Sequence, residues 1–114
     1  METNYILDQL THISKVNPNG FTYDFAKETF IKNGFIVAYE GTQDSHTIDC
    51  LPSIIETAKE QNCIICGWLD TETDKYYFDS CKVFDDAEDA IDFGKANNQI
   101  AICDANRKEE IRLS

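Results

Sequence analysis

The sequence predicts an α+β domain, a mainly antiparallel sheet with two helices packed on one face. Three observations carry that reading. The stretch from Cys63 to Phe84, CIICGWLDTETDKYYFDSCKVF, places apolar runs on both sides of a polar break at Asp70–Asp74. That is the signature of a hairpin with a loop of about five residues. Apolar residues recur at helical spacing in the two segments that flank it, near 50–61 and 86–97. Period-two segments stand outside each helix, giving the order strand, strand, helix, strand, strand, helix, strand, strand. Strand order within the sheet is not readable from this pattern.

In chain order, residues 1–19 read equally as a short amphipathic helix, on Ile6, Leu7, Leu10 and Ile13, or as a peripheral arm of a single domain spanning 1–114. Asn17-Pro18 and Asn19-Gly20 then predict a turn. Phe21, Tyr23 and Phe25 alternate with Thr22 and Asp24, the strand period. Residues 26–33 are polar and end at the Asn33-Gly34 turn signal, and Phe35–Tyr39 (FIVAY) reads as an interior strand. Residues 40–47 form a polar loop. Ile48, Leu51, Ile54, Ile55 and Ala58 recur at helical spacing on one face, and Pro52 confines the helix start to about Leu51, because proline is tolerated only in a first turn. After the hairpin, Asp85 three residues before Glu88 suggests a capping box opening a helix over 86–97. Strands are expected over 99–103 and 109–113. No internal repeat is strong enough to use.

Composition bounds the function. With 114 residues there is room for one modest core. Apolar residues at 42% and charged residues at 27% exclude wholesale disorder. Ten basic against 21 acidic residues give a formal net charge of −11. Such a chain repels nucleic-acid phosphates and anionic membranes and attracts a basic protein partner. Met1–Leu10 has two carboxylates and no basic stretch, and no apolar run approaches the roughly 18 residues of a membrane span, so a cytoplasmic location is expected. Five cysteines, an odd number, rule out a fully paired disulfide framework within one chain; buried free thiols are expected.

No motif supplies a catalytic set. Cys63-Ile-Ile-Cys66 has the spelling of a redox motif but lies in a strand pattern, where residues three apart point to opposite faces. His12 and His46 follow no zinc-finger spacing, so no metal or other cofactor is expected. Ser45 and His46 sit in a polar loop. A small hydrolase or transferase site assembled from Ser45, His46 and Asp79 is the competing enzyme reading, against the expectation that the protein is not an enzyme. Gly67 within a strand predicts a bulge or a close approach of another group. Trp68 is expected to pack across the hairpin on Tyr76 or Phe78, depending on register. An alternative is that Trp68, Tyr76 and Tyr77 form an aromatic contact patch.

The most distinctive charges are Asp85, Glu88, Asp89 and Asp92, at offsets zero, three, four and seven on one helix face. Asp92 stands beyond the first turn, where the helix dipole no longer favours a carboxylate. A face that tolerates such repulsion suits a basic partner. The same residues, extended by Asp70, Glu72 and Asp74, suggest a second reading, an acidic DNA mimic of the anti-restriction or anti-defence kind. Cys103, Ile100 and Ile102 near the C-terminal edge suggest a homodimer.

Gly67-Trp68, Tyr76-Tyr77-Phe78-Asp79-Ser80, Phe84, Ala87, Ala90-Ile91 and 98–102 (NQIAI), taken together, resemble small uncharacterised proteins of gut anaerobic bacteria, often associated with mobile elements. The resemblance spans Gly20 to Leu113. It implies a bacterial cytoplasmic accessory protein and brings no catalytic residue with it.

Overall fold

The computed structural model describes residues 2–40, 48–70, 72–99 and 101–113. Helix α1 spans Thr3–Val16, α2 Leu51–Lys59 and α3 Ala87–Ala96. The strands are β1 Gly20–Asp24, β2 Thr29–Phe30, β3 Phe35–Ala38, β4 Ile64–Asp70, β5 Lys75–Phe84, β6 Ala101–Asp104 and β7 Glu109–Arg112. They form one seven-stranded sheet in the order β2-β1-β4-β5-β3-β6-β7, with every neighbouring pair antiparallel. The α+β class holds, but three helices rather than two cover one face. The third is α1, whose Ile6, Leu10 and Ile13 lie one turn apart and are all buried against α2 and the sheet.

Pleating divides the residues of β4 and β5 between two layers. Register pairs Ile65 with Ser80, Gly67 with Phe78 and Leu69 with Tyr76 on the helix-covered face. Ile65 and Phe78 join Leu10, Leu51, Ile55 and Ala58 in the main core. Gly67 forms no bulge. It continues the ladder, and its missing side chain leaves room for the rings of Phe21 and Tyr76; a Cβ there would lie 2.7 Å from Tyr76 Cε1. A smaller core under α3 gathers Val37, Ala90 and Ile102 with Phe35, Phe84 and Phe93 around them. On the helix-free face, Ile36, Ile64 and Cys81 are buried beneath Ile31 and Ala105, from the connections that follow β2 and β6.

The connectivity contains a threefold repeat of one unit, a helix followed by a two-stranded hairpin: α1-β1-β2, α2-β4-β5 and α3-β6-β7, with β3 inserted after the first. Each hairpin has an aspartate (Asp24, Asp70 or Asp104) as the last residue of its first strand, and the second strand resumes five residues later. The residue just before the second strand is left-handed in all three: Glu28 (φ 51°), Asp74 (φ 59°) and Lys108 (φ 56°). Asp24 Oδ1 accepts from the amides of Ala26 and Lys27, and Asp104 Oδ1 from those of Asn106 and Arg107. These are side-chain-capped turns that fix a four-residue hairpin loop.

Several local expectations are corrected. The β4–β5 loop has four residues, not five, since Asp70 pairs with Lys75. The cap of α3 is Asp86 rather than Asp85, its Oδ1 accepting from the Glu88 amide at 2.9 Å. A 3₁₀ turn at Ile48–Cys50 leads into α2. The turn expected at Asn19-Gly20 is present and carries the chain from α1 into β1; Gly20 has φ 137°, beyond the reach of most side chains. Cysteine usage also differs from five free thiols. Cys66 and Cys81 are joined across β4–β5, with Cα atoms 6.4 Å apart, while Cys63 and Cys103 are free. Cys63 lies just outside β4 in the left-handed region and does not bond to Cys66. Among the described residues, no helix is long and apolar enough to cross a membrane.

Candidate functional site

Among the described residues of the β4–β5 hairpin, the one exposed large apolar side chain, Trp68, lies on the helix-free face. Register sets Trp68 directly opposite Tyr77, not Tyr76 or Phe78 as expected from the sequence. The two rings stack at 4.8 Å between centroids with 19° between planes. The indole Nε1–H donates to Asp79 Oδ2 at 3.1 Å, so the ring is held from its edge as well as its face. Trp68 remains 44% exposed while Asp79 is only 7% exposed. The result is a preset aromatic platform with a buried carboxylate beneath its polar edge.

Below the platform, Cys66 and Cys81 occupy the next positions on the same face. Cys66 pairs in register with Asp79, and Cys81 lies diagonally beyond it. Thr22 Oγ1 donates to Cys66 Sγ at 3.7 Å from the neighbouring strand β1. Two diagonal ties therefore cross this hairpin in the same sense, Trp68 to Asp79 and Cys66 to Cys81.

The other residues singled out from the sequence fall elsewhere. Tyr76 points to the opposite face, packs on Phe78 and donates its hydroxyl to the Asn17 carbonyl at 2.9 Å. Burial pushes its phenol up to about 12. Asp85, Glu88, Asp89 and Asp92 are all exposed, and none is in an ion pair among the described residues. Asp85 precedes the helix, leaving Glu88, Asp89 and Asp92 as its charged face. Because α3 covers the opposite face of the sheet from Trp68, the aromatic and acidic candidates do not converge. Nor do the two acidic clusters. The hairpin loop after Asp70 lies at the start of β5 and α3 follows its end, about 30 Å of strand away.

Ser45 and His46 lie outside the described residues, as does Ile100. His12 is exposed on α1. Two open clefts of about 360 Å³ each flank the sheet, one among Asp24, Lys27, Gln61, Asn62, Cys63 and Lys82, the other beside Ile48 and Tyr76; neither borders the platform. Two free thiols, Cys63 in the first cleft and Cys103 on β6, are held protonated. Burial first, then Asp24, pushes the Cys63 thiol up; partial desolvation first, then Asp104 and Glu110, does the same for Cys103. Among the described residues, no group of three histidine, cysteine or acidic side chains is placed to hold a metal ion.

The platform and the cysteine pair were not legible as a unit in the sequence. The period-two pattern puts Cys66 and Trp68 on one face, but only register decides which residues of β5 they meet. Comparison with known proteins adds no further constraint: no family model, no curated protein and no solved structure matches this chain.

Proposed function

We propose that the chain is a small acidic protein-binding module without catalytic activity, and that the Trp68–Tyr77 platform is its contact surface. The observation that carries this reading is an exposed tryptophan already fixed by a stacking partner and a hydrogen bond. Such a side chain loses little further conformational freedom on binding and presents a large apolar area, the character of an interface hot spot. The exposed carboxylates of α3, within a net charge of −11, supply attraction for a basic partner at long range. They act on the encounter rate, whereas the platform acts on the lifetime of the complex.

The DNA-mimic reading receives less support. Duplex DNA carries one charge per roughly 1.7 Å of axis. The ten residues of α3 extend only about 15 Å, and the hairpin acids do not continue its row. The enzyme reading is likewise disfavoured, because Asp79 is engaged by the Trp68 indole. Self-association at the C-terminal edge is a separate proposal. β7 is an edge strand, although Glu109, Glu110 and Arg112 blunt strand-to-strand pairing there; light scattering across a concentration series tests it.

A capture experiment from host lysate at low and high salt tests the main reading. Partners retained by the wild type should be lost with Trp68→Ala at every salt concentration. Changing Asp85, Glu88, Asp89 and Asp92 to Asn or Gln should weaken capture only at low salt. Identical partners and yields for wild type and Trp68→Ala would overturn the platform as the contact surface.

A further inference from the structure

The Cys66–Cys81 tie has features that separate it from a structural staple. It bridges two strands already paired from Ile65–Ser80 to Asp70–Lys75, and Cys81 stands one residue past the last of those pairs, where β5 has passed to pairing with β3. The hairpin is also backed by the main core through Ile65 and Phe78. The bond therefore adds to a hairpin that strand pairing and core packing already hold together. Cys66 is half-buried, within reach of a small thiol reagent, whereas Cys81 is 1% exposed. Among the described residues, Cys63 and the surface residue Cys103 are free, so the chain is not one in which every thiol is consumed by cross-linking. The pair also lies directly beneath Trp68 and Asp79.

We propose that Cys66 and Cys81 are a reversible thiol–disulfide pair, a redox-sensitive tie that opens and closes across the hairpin under the Trp68 platform. The proposal does not depend on what, if anything, the platform binds. The co-reactant is a low-molecular-weight disulfide. From the reduced state, the Cys66 thiolate attacks one sulfur of that disulfide, breaks its S–S bond and forms a mixed disulfide, releasing the first small thiolate. The Cys81 thiolate then attacks Cys66 Sγ, closes the Cys66–Cys81 bond and expels the second. The two protons lost by the cysteines go to the departing thiolates. In sum, two protein thiols are oxidised by two electrons and one external disulfide is reduced to two thiols. Exposure sets the order, since only Cys66 is accessible to the first reagent. Closing the bond fixes the strand positions on which Trp68 and Asp79 stand; opening it leaves the ladder intact but releases that constraint.

The test uses the full chain equilibrated in glutathione buffers running from fully reduced to fully oxidised. Samples are acid-trapped, alkylated and mapped by mass spectrometry. A 66–81 cross-linked peptide should appear and disappear reversibly across the series, while Cys63 and Cys103 stay alkylated throughout. Trp68 is the chain's single tryptophan. Because a neighbouring disulfide quenches indole emission, its fluorescence should follow the cross-linked fraction in the wild type and stay flat in Cys66→Ser. Cys81→Ala, which avoids placing a hydroxyl in the core, should accumulate the glutathione adduct on Cys66; Cys66→Ser should give no adduct at Cys81. A pair that stays open in fully oxidised glutathione, a bond that survives fully reduced glutathione, or a different cysteine pairing would each overturn the proposal.

Discussion

Strands β1, β4 and β5 carry α1 and α2, while β3, β6 and β7 lie under α3 alone. The difference in depth is large. In the first half, Leu10, Leu51, Ile55, Ala58 and Ile65 are completely buried in one continuous cluster. In the second, the buried apolar cluster among the described residues is Val37, Ala90 and Ile102, ringed by half-buried aromatics. The deep half also contains the register-critical hairpin and its platform. The thin half carries the acidic helix, where Glu88, Asp89 and Asp92 repel one another on a ten-residue element. Stability and charge are thus segregated: the half that binds the least apolar surface is the half that accepts the most electrostatic strain. Local opening should begin there.

The sharpest way to break this comparison is a matched pair of core truncations. Ile55→Ala should destabilise the protein toward the upper part of the roughly 2–5 kcal/mol range for such changes, and Ile102→Ala toward its lower end. Denaturant midpoints with an unchanged slope would measure both. A larger loss at Ile102 would invert the ranking of the two halves. Amide exchange on the same proteins should show α3 less protected than α2.

A pair of glycines sharpens the contrast further. Gly67→Ala should destabilise by about 1–3 kcal/mol, because the new methyl must displace the rings of Phe21 and Tyr76 in a filled layer. Gly94→Ala should cost less than Gly67→Ala, since alanine favours the helix and the closest atom, Leu113 Cδ1 at 2.6 Å, is the far end of a half-buried side chain, with Ile102 Cγ2 next at 3.0 Å. Thermal melts of the two variants would expose any reversal of that order.

Alkaline pH probes the deep half through Tyr76. Burial favours the neutral phenol in the folded state, so its pKa rises to about 12, from roughly 10 in the unfolded chain. Its contribution is fully present below pH ~10 and lost as pH rises through ~12. Tyr76→Phe should therefore flatten the fall in stability over that window, with a residual slope from Tyr23, whose phenol is also raised by burial and by Glu28 and Asp24. A stability–pH profile unchanged by Tyr76→Phe would count against burial as the source of the slope.

The smallest expected effect lies on α3. Asp92→Asn should raise stability by a few tenths of a kcal/mol, by removing repulsion with Glu88 and Asp89 and an unfavourable charge beyond the first turn. The gain should shrink in high salt. An equal gain at high and low salt would assign it to something other than charge.

The sequence by itself determined the local periods and therefore most of the elements. Alternation predicted the strand around Phe21, and apolar runs bounded by polar breaks predicted those around Phe35 and Trp68. Spacing of Leu51, Ile54, Ile55 and Ala58 predicted α2, and the acids before Ala87 located the start of α3 to within one residue. Those signals are legible because each is written within a few neighbouring residues. What crossed between elements was not. The same spacing in residues 3–16 left helix and arm equivalent until burial of Ile6, Leu10 and Ile13 against α2 decided it. The helix–hairpin repeat stayed hidden because its common feature is a backbone conformation, held at Glu28, Asp74 and Lys108 by residues with no glycine among them. Register mattered most. A loop of five residues would set Trp68 against Tyr76, whereas the four-residue loop sets it against Tyr77 and brings Asp79 under its indole and Cys81 against Cys66. A shift of one residue turns every side chain of a strand to the other face. The tertiary structure alone therefore decided which of these residues share a surface.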